Sequence, residues 1–550
     1  MTAFNLIDEP WIPVLTVDGE QTTVDVRTAL TEAPTLLRIA AELPTIDIAI
    51  QRLLQAILLR VVPSLPKNKD ERAELWGDWW QTGSLPGKAI DAYLSKWHDR
   101  FDLFDEEFPF FQVPGLSLPK GGGSGLEKIM ADVPAGTKFF TVRSGQALTS
   151  LSFAEAARWI IHTQAFDCAG IKSGVVGDDR VKGGRSYSLG YPAWSGTLGL
   201  ISLEGENLAE TLFLNLDLTA TSIDDAPAWE SAPQRIASDA IYPTPIGAAQ
   251  AWTWPSRMIR LIRDGDVVVD VILSNGERLG PQNLNGVEPM ASWKLSDAQT
   301  KKLGMTVFMP VGHEPGRAAW RGLSGLLAQP APGDKSQRDP AGVIKWAARL
   351  QNNEILPDDY HLRIRCVSME YGGQASTFDQ TFEDTVDLRV AAMVSPVLKQ
   401  SAVNAVEAAR RGVLQLRDYA RNIALASGDS GEDVSAKHQY LEVRAYDALR
   451  VHFDGWLLDL TNPEDALNAA AAWERTVART IRQVAADHAR SCPQAAIFGR
   501  MVNIHGKERH MDLGLAQRWL SAGLRKELPL AHPETPKEGS DHGVGNETHQ

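Results

Sequence analysis

Clusters of carboxylates and histidines are the places where this sequence could carry out chemistry of its own. The clusters are Asp178-Asp179, the run Asp105, Glu106 and Glu107, and the triplet His505, Glu508 and His510. Convergent groups of these types bind metal ions or act as general acids and bases. Solvated acidic turns and a polar turn between helices explain the same residues without any reaction, because no cluster offers a complete ligand set.

Motifs of common hydrolases, metalloproteases and nucleotide-binding enzymes are missing from the sequence. It contains no GxxxxGK[ST], no HExxH and no GxSxG segment. Cys168, Cys366 and Cys492 lie far apart and form no CxxC pair. Neither a disulfide framework nor a cysteine-based zinc site is therefore expected. We predict a reduced, cytoplasmic protein without metal or other cofactor and without enzymatic activity.

The charge of the chain limits which partners it can bind. Its 550 residues include 69 acidic and 55 basic side chains, a formal net charge of −14. Because phosphate contacts need clustered Lys and Arg, any contact with DNA must be local or shared with partner subunits. The first residues lack a basic segment followed by a long apolar run, and no apolar stretch is long enough to cross a bilayer. No membrane partner is expected.

Two kinds of sequence pattern indicate the elements that position such contacts. Up to residue 387, strand-like runs rich in β-branched and aromatic residues alternate with helical segments; the clearest are strands at 11–17, 139–142, 197–203 and 267–273 and helices at 46–62 and 153–164. From residue 388 onward, four helical segments at about 391–427, 435–460, 463–491 and 511–528 predict a bundle. The expected fold is α+β, with a mixed domain at 1–387, a four-helix bundle at 388–530 and a disordered tail at 531–550.

Three short motifs in the first domain carry a resemblance to a known family. They are FNLIDEPWIPV at residues 4–14, FDLF at 101–104 and PFFQ at 109–112. A turn followed by an edge strand accounts for the first motif locally. In this order, ahead of a helical domain and at this total length, the motifs resemble the CasA family, the large subunits of type I-E CRISPR Cascade complexes. The resemblance covers nearly the whole chain.

The resemblance implies a role in target search. CasA-like subunits lie beside the 5′ handle of the guide RNA and recognise the protospacer-adjacent motif (PAM) in double-stranded DNA. They help to open the duplex into an R-loop and recruit the helicase–nuclease that degrades it. Because the guide RNA reads the long sequence by base pairing, the protein reads only a few base pairs. The implied partners are target DNA, the guide RNA handle, the other Cascade subunits and the helicase–nuclease.

The GGQAS segment at residues 372–376 matches a family element that acts on DNA. In the family, a Gln-Ala pair at a hairpin tip is a wedge beneath the PAM, and Gln374 and Ala375 occupy that place here. Residues 362–369 and 381–390 alternate enough to form the two strands. Inserting a side chain between base steps costs a few kcal/mol, which new contacts and heteroduplex formation offset. An ordinary hairpin tip made of turn residues is the structural alternative.

A glycine-rich loop at residues 167–194 is a second element that the resemblance implies. Family members use main-chain atoms of such a loop to approach the minor groove, where readout separates A·T from G·C and tolerates several PAM sequences. The candidate residues are Lys182, Gly183, Gly184 and Arg185, followed by Lys172, Ser173 and Gly174. Glycine lets the backbone approach the groove, and nearby cations meet phosphates. A flexible surface loop explains the glycines equally well.

Residues 136–146 resemble the family's flexible loop near the guide RNA handle and the PAM. Lys138 and Arg143 would contact phosphates and Phe140 would stack on a base; a strand that buries the aromatic residues is the alternative. The family also inserts a lysine finger into the minor groove. This sequence departs from that pattern, because it has no lysine between Asp264 and Trp293.

Two arginine stripes in the helical domain are candidate tracks for DNA or for a neighbouring subunit. They are Arg410, Arg417 and Arg421 on one segment, and Arg475, Arg479 and Arg482 on another, each at helical spacing. A solvated helix face is the alternative for both stripes, because acidic residues interleave with the first.

Two other classes of function compete with PAM recognition. An architectural subunit would hold the guide RNA end and a nuclease without reading DNA, and the excess of acidic residues favours it. A metal-dependent hydrolase would use Asp178, Asp179 and a histidine. Binding assays with matched and scrambled PAM duplexes separate the first, and metal analysis of the purified chain separates the second.

Overall fold

The computed structural model describes residues 3–62, 65–133, 148–187, 191–236, 244–327, 329, 336–429, 432–504 and 506–532, with only the backbone of 432–437 and 504. Contacts divide the chain into two compact units, Met1–Lys399 and Gln400–Gln550. The sequence placed the change of character between residues 387 and 388, whereas the structural division falls in the first turn of the helix Pro396–Ser427.

The first unit combines helices with short strands. Its helices are α1 (Val26–Thr31), α2 (Pro44–Val61), α3 (Lys69–Thr82), α4 (Gly87–Trp97), α5 (Phe153–Phe166), α6 (Leu208–Leu214), α7 (Ala248–Trp252), α8 (Asp297–Leu303), α9 (Leu323–Leu326), α10 (Gly342–Asn352) and α11 (Val390–Val394). Its strands are β1 (Ile12–Thr16), β2 (Gln21–Val24), β3 (Leu36–Ile39), β4 (Leu151–Ser152), β5 (Lys172–Ser173), β6 (Arg185–Ser186), β7 (Leu200–Glu204), β8 (Arg257–Asp264), β9 (Val267–Asn275), β10 (Trp293–Leu295), β11 (Phe308–Pro310), β12 (Arg338–Asp339), β13 (His361–Tyr371) and β14 (Phe378–Arg389).

The strands of the first unit form small antiparallel sheets rather than one large sheet. The three-stranded sheets have the orders β2-β1-β3, β4-β9-β8, β11-β10-β12 and β14-β13-β7, and β5 pairs with β6 alone. The longest ladder joins β13 to β14, from His361 opposite Arg389 to Tyr371 opposite Phe378. Strand β7 covers one edge of this hairpin only as far as Val367. The part of the hairpin between Val367 and its connecting turn therefore extends beyond strand β7.

Helix α2 forms the centre of the first unit. Its apolar residues occur on every side, and the helix is buried along nearly its whole length, as expected of a helix surrounded by other elements. It contacts α5, α7 and β13. Arg52 of this helix is fully buried and forms an ion pair with the buried Glu288. Each of these two buried charges needs the other, because removing either one would leave an unpaired buried charge and strongly destabilise the folded protein.

The three opening motifs come together in one place. Leu6 N–H donates to Phe101 O (3.0 Å) and Leu103 N–H donates to Phe4 O (2.9 Å). Gln112 Nε2 then donates to Leu103 O (2.7 Å). These main-chain contacts and the buried rings around them give the motifs a structural role in this unit.

Long helices build the second unit. They are α12 (Pro396–Ser427), α13 (Glu432–Leu458), α14 (Ala466–Arg490) and α16 (Leu513–Glu527), with a short α15 (Gln494–Phe498) and a hairpin of β15 (Arg500–Ile504) and β16 (Lys507–Met511). Buried polar contacts join α12 to α14: Trp473 Nε1 donates to Ala405 O (2.7 Å), and the Tyr419 hydroxyl donates to Ala485 O (3.1 Å).

The predicted α+β class is confirmed, with mixed helices and small sheets followed by C-terminal helices. Helix α5 was also expected, and the Ser152 side chain caps its start by accepting from Glu155 N–H (3.2 Å). One expectation was wrong, because the segment that contains His510 forms the β15–β16 hairpin and not a turn between helices. None of the helices in the described ranges has the length and apolar character needed to cross a membrane.

Candidate nucleic-acid interface

The hairpin tip, residues 372–377, is an exposed turn between β13 and β14. Gln374 and Ala375 both have positive φ, 58° and 53°, a conformation that few residues other than glycine adopt. The Gln374 side chain is exposed and donates no hydrogen bond to any described residue, whereas Ala375 is half-buried. Sequence reasoning placed a polar side chain at a glycine-supported tip, and the structure leaves its amide available to a partner.

The tip is held from below by the chain segment that follows α5. Ala169 N–H donates to Ala375 O (2.6 Å). Tyr371, at the end of β13, is half-buried and donates its hydroxyl to Phe166 O (2.6 Å). A Cβ added at Gly170 would lie 3.2 Å from Ser376 O. Residues 167–170, named here the anchor segment, therefore fix the height and direction of the tip.

The glycine hairpin, residues 172–186, begins directly after the anchor segment. Strands β5 and β6 pair antiparallel, and Lys182 and Arg185 exchange two main-chain hydrogen bonds across the turn (3.0 and 3.1 Å). Gly183 and Gly184 have φ of 58° and 74°, the geometry of a two-residue turn that favours glycine. Both glycines face open space. The main chain of this turn is accessible in the way that groove contact requires.

Lys182 and Arg185 flank this turn as exposed cations. Neither forms an ion pair with any residue that the structure describes. Both side chains are therefore accessible to phosphates, the role that the family resemblance implies for them.

Gly174 and Ser173 have a structural task in the same hairpin. Gly174 N–H donates to Gly184 O (3.0 Å), and a Cβ at Gly174 would lie only 2.9 Å from the same carbonyl oxygen. Ser173 O accepts from the Ser274 hydroxyl of β9 (2.7 Å). Both residues were expected to face the groove, but Gly174 closes the hairpin on itself and Ser173 fastens it to β9. The exposed turn at Lys182–Arg185 remains the part that a duplex can reach.

Lys172 departs from its expected role as a phosphate contact. Its ammonium is buried and lies 2.8 Å from Asp167 Oδ2. Arg257 Nε of β8 donates to the same carboxylate, and Arg257 Nη2 donates to the main-chain oxygens of Asp167 (3.1 Å) and Cys168 (3.0 Å). Burial alone would raise the pKa of Asp167, but the two cations outweigh it and hold this pKa below its usual value.

Asp167, Lys172 and Arg257, named here the Asp167 cluster, join three elements at one buried point. The carboxylate belongs to the anchor segment, the lysine begins the glycine hairpin, and the arginine begins β8. The hairpin tip is attached to the same segment through Ala169. The two exposed surfaces that sequence analysis proposed separately are thus neighbours on a common rigid support.

Asp167, Arg257 and Tyr371 were not singled out from the sequence. Their importance comes from contacts between residues up to 205 positions apart, such as the bond from Tyr371 to Phe166. The only sequence signal was the unusual density of glycines after Asp167, which marked the loop without indicating its supports.

Other candidates differ in how the structure treats them. Lys138, Phe140 and Arg143 lie outside the described residues. Asp178 is buried and its carboxylate forms a bidentate pair with Arg180 (2.9 and 3.0 Å), which leaves it little capacity for a metal. No group of three or more His, Cys, Asp or Glu side chains suited to a metal ion occurs within the described ranges.

The arginine stripes of the second unit are exposed on helix surfaces. Arg410, Arg417 and Arg421 lie on α12, and Arg475, Arg479 and Arg482 lie on α14. Arg410 forms an ion pair with Glu407 (2.7 Å), and Arg482 approaches His532 (3.0 Å). The stripes therefore include both paired side chains and side chains that point to solvent.

Comparison with known proteins gives one consistent match. The family model of the CRISPR-associated protein Cse1 matches residues 5–484. The CRISPR-associated protein CasA/Cse1 of Thermus thermophilus is 30% identical over 445 residues, which are 80% of this chain and 81% of that protein. The crystal structure of Thermobifida fusca Cse1 superposes with a TM-score of 0.87 at 37% identity, covering 96% of this chain and 99% of that chain. A chain of a CRISPR RNA-guided surveillance complex has a TM-score of 0.65 at 21% identity, over 90% and 100% of the two chains, which shows a common fold.

Proposed function

Because this chain belongs to the Cse1 (CasA) family of CRISPR-associated proteins, we propose that it is the large subunit of a type I-E RNA-guided surveillance complex and reads the PAM in double-stranded DNA. In this proposal the chain helps to open the duplex for R-loop formation and recruits the helicase–nuclease. It contributes no catalysis, and the guide RNA reads the remaining sequence by base pairing.

One observation carries the proposal: the exposed Gln374 tip and the exposed glycine turn have a common support. Ala169 bonds to the tip, and three residues later Lys172 begins the glycine hairpin. In this proposal, a duplex meets Gly183 and Gly184 with its minor groove and meets the tip with a neighbouring base step. Recognition and opening then occur on adjacent surfaces without a large rearrangement of this unit.

The chemistry of the two surfaces is complementary. Main-chain atoms at Gly183 and Gly184 can approach the minor groove floor because no Cβ holds them away, while Lys182 and Arg185 contact phosphates. The Gln374 amide can take the place of lost base-pair hydrogen bonds when a base is displaced. The acidic net charge of the chain fits this arrangement, since a few local cations suffice where partner subunits hold most of the nucleic acid.

The wedge is tested by replacing both tip residues with glycine, Gln374→Gly with Ala375→Gly. Glycine accepts the positive φ of both positions, so the hairpin keeps its shape while both side chains are lost. R-loop formation in the assembled complex is expected to slow by about tenfold or more, as for the loss of a contact of about 1.4 kcal/mol. Gln380→Ala, which removes an exposed amide from the ladder of the same hairpin, is the control. Unchanged R-loop formation in the double variant would refute the wedge.

The reader turn is tested by Gly183→Asn with Gly184→Asn. Asparagine tolerates positive φ, so the turn survives while two side chains separate its backbone from the groove. Binding of a duplex with the correct PAM should fall to the level of a scrambled duplex. Equal PAM discrimination in the variant and the parent would contradict the assignment of this turn.

An architectural subunit is the second candidate function, and the formal net charge of −14 favours it. Such a subunit would hold the guide RNA end and the nuclease without reading DNA. Complexes with it would bind matched and scrambled PAM duplexes equally well at every salt concentration. A difference between the two duplexes would exclude this candidate.

A further inference from the structure

We propose that the second unit carries a separate binding site for unpaired nucleotides of a single-stranded nucleic acid, in a groove between α12, α16 and the β15–β16 hairpin. The groove has a volume of about 620 Å³, within the range of sites that hold small ligands. The lining side chains that could bind a ligand are Arg421, Asn422, Lys507, Arg509 and Trp519. This site, named here the C-terminal groove, goes beyond PAM reading.

The groove concentrates positive charge in an acidic chain. Arg421, Lys507 and Arg509 are exposed, and none of them forms an ion pair with a residue of the described part of the chain. Asp418 is the carboxylate that lines the groove beside them. Some other arginines of this unit are paired, such as Arg411 with Glu474. Three cations that form no ion pair with a described residue, around one concave surface, indicate an anionic ligand.

An indole beside these cations favours an anion that also carries flat rings able to stack. Trp519 is half-buried, and the Arg509 guanidinium lies 5.9 Å from its ring centroid. Single-stranded nucleic acids are bound by this combination, with cations on the backbone and aromatic rings on the bases. An acidic protein segment would pair with the cations, whereas unpaired bases would also stack on the indole and form hydrogen bonds with the Asn422 amide.

Regular elements hold these side chains in place. Lys507 and Arg509 are two residues apart on β16 and therefore share one face of the hairpin. Trp519 lies on α16, whose first turn is capped by Asp512, which accepts from Leu515 N–H (2.7 Å). Arg421 lies on α12. A site built on strands and helices holds its geometry better than one built on loops.

The experiment measures binding of fluorescein-labelled oligothymidine and oligouridine, each of about 15 nucleotides, to the full chain by fluorescence anisotropy. A groove triple variant, Arg421→Gln, Lys507→Gln and Arg509→Gln, should bind at least tenfold more weakly. A charge-matched triple, Arg444→Gln, Arg525→Gln and Lys526→Gln, removes the same charge from exposed positions of α13 and α16, outside the groove lining. It should stay within about threefold of the parent. Equal losses in the two triples would overturn the site, because general attraction would then explain binding.

Substitutions of Trp519 test the nucleotide assignment separately from charge. Trp519→Leu should weaken binding by about tenfold and Trp519→Phe by much less, because phenylalanine keeps a ring that can stack. Blunt duplex of the same length should bind more weakly than the single strand. Binding that ignores Trp519→Leu, or that polyglutamate displaces as readily as the oligonucleotide, would overturn the proposal. The Gln374 and Ala375 glycine variant should bind the labelled strands normally, so this site and the PAM reader can fail independently.

Discussion

Replacing Asp167 with asparagine should loosen the junction between the hairpin tip and the glycine hairpin without altering either exposed surface. The Asp167 carboxylate neutralises two buried cations, Lys172 and Arg257. An amide of the same shape cannot do so, and breaking a buried pair in this way typically costs about 3–5 kcal/mol. We expect this cost to appear as local opening, because the cluster connects separate elements rather than lying within one.

Lys172→Met provides the matched control for this prediction. It removes one cation and leaves the Asp167–Arg257 pair intact, so the cluster becomes neutral and the cost should stay below about 1.5 kcal/mol, as for a buried swap of similar volume. In the double variant Asp167→Asn with Lys172→Met, one buried charge remains instead of two. Its destabilisation should therefore be smaller than the sum of the two single effects.

Hydrogen exchange reports this opening directly. Ala169 N–H donates to Ala375 O, and its protection should fall in Asp167→Asn but persist in Lys172→Met. PAM binding by the complex should weaken in parallel. Retained protection at Ala169 in Asp167→Asn would refute the argument that the cluster supports the tip. The salt dependence of DNA binding gives a second check: a decrease of about 0.9 in its slope for Lys172→Met would mean that this lysine contacts a phosphate after all.

Three further predictions concern other parts of the chain. His162 is fully buried, and burial lowers its pKa to about 4. Because the unfolded chain binds this proton near pH 6.5 and the folded chain does not, the stability present above pH 6.5 is lost as the pH falls towards 4. His162→Gln should therefore flatten the fall of Tm across this window. Lys182→Gln with Arg185→Gln should reduce the salt slope of DNA binding by about 2 without changing PAM preference, as measured by titrations at several salt concentrations. Gly174→Ala should destabilise the glycine hairpin, because its Cβ would lie 2.9 Å from Gly184 O, and faster hydrogen exchange across residues 172–186 should reveal it. An unchanged pH profile, an unchanged slope or unchanged exchange, respectively, would contradict these expectations.

The sequence contained enough information to predict the class of fold and the exposed parts of the interface. Apolar residues at three- and four-residue spacing indicated a helix at 46–62, and α2 occupies Pro44–Val61. The glycines at 372–373 and 183–184 indicated turns, because tight turning and close approach are local backbone properties. Such features depend on neighbouring residues, which the sequence displays directly.

The role of Lys172 could not be predicted from its neighbours in the sequence. A lysine in a glycine-rich loop has the composition of a phosphate contact, but its ammonium is buried against Asp167. The β15–β16 hairpin was missed for a related reason: Arg500 to Met511 lacks alternating apolar residues, because this ladder is exposed along most of its length. Hydrophobic periodicity reveals a helix or strand only when one face of it is buried. It therefore gives little information about exposed elements, or about side chains that are buried by residues far away in the sequence.

The sequence by itself determined the family motifs, the α+β composition and the turns that expose Gln374 and Gly183, since each depends on residues close together in the chain. Only the tertiary structure brought Asp167, Arg257 and Tyr371 under the tip, and Arg509 beside Trp519. Contacts of this kind arise from the packing of the whole chain. No local pattern encodes them, because the free energy that fixes each one is shared among elements far apart in sequence.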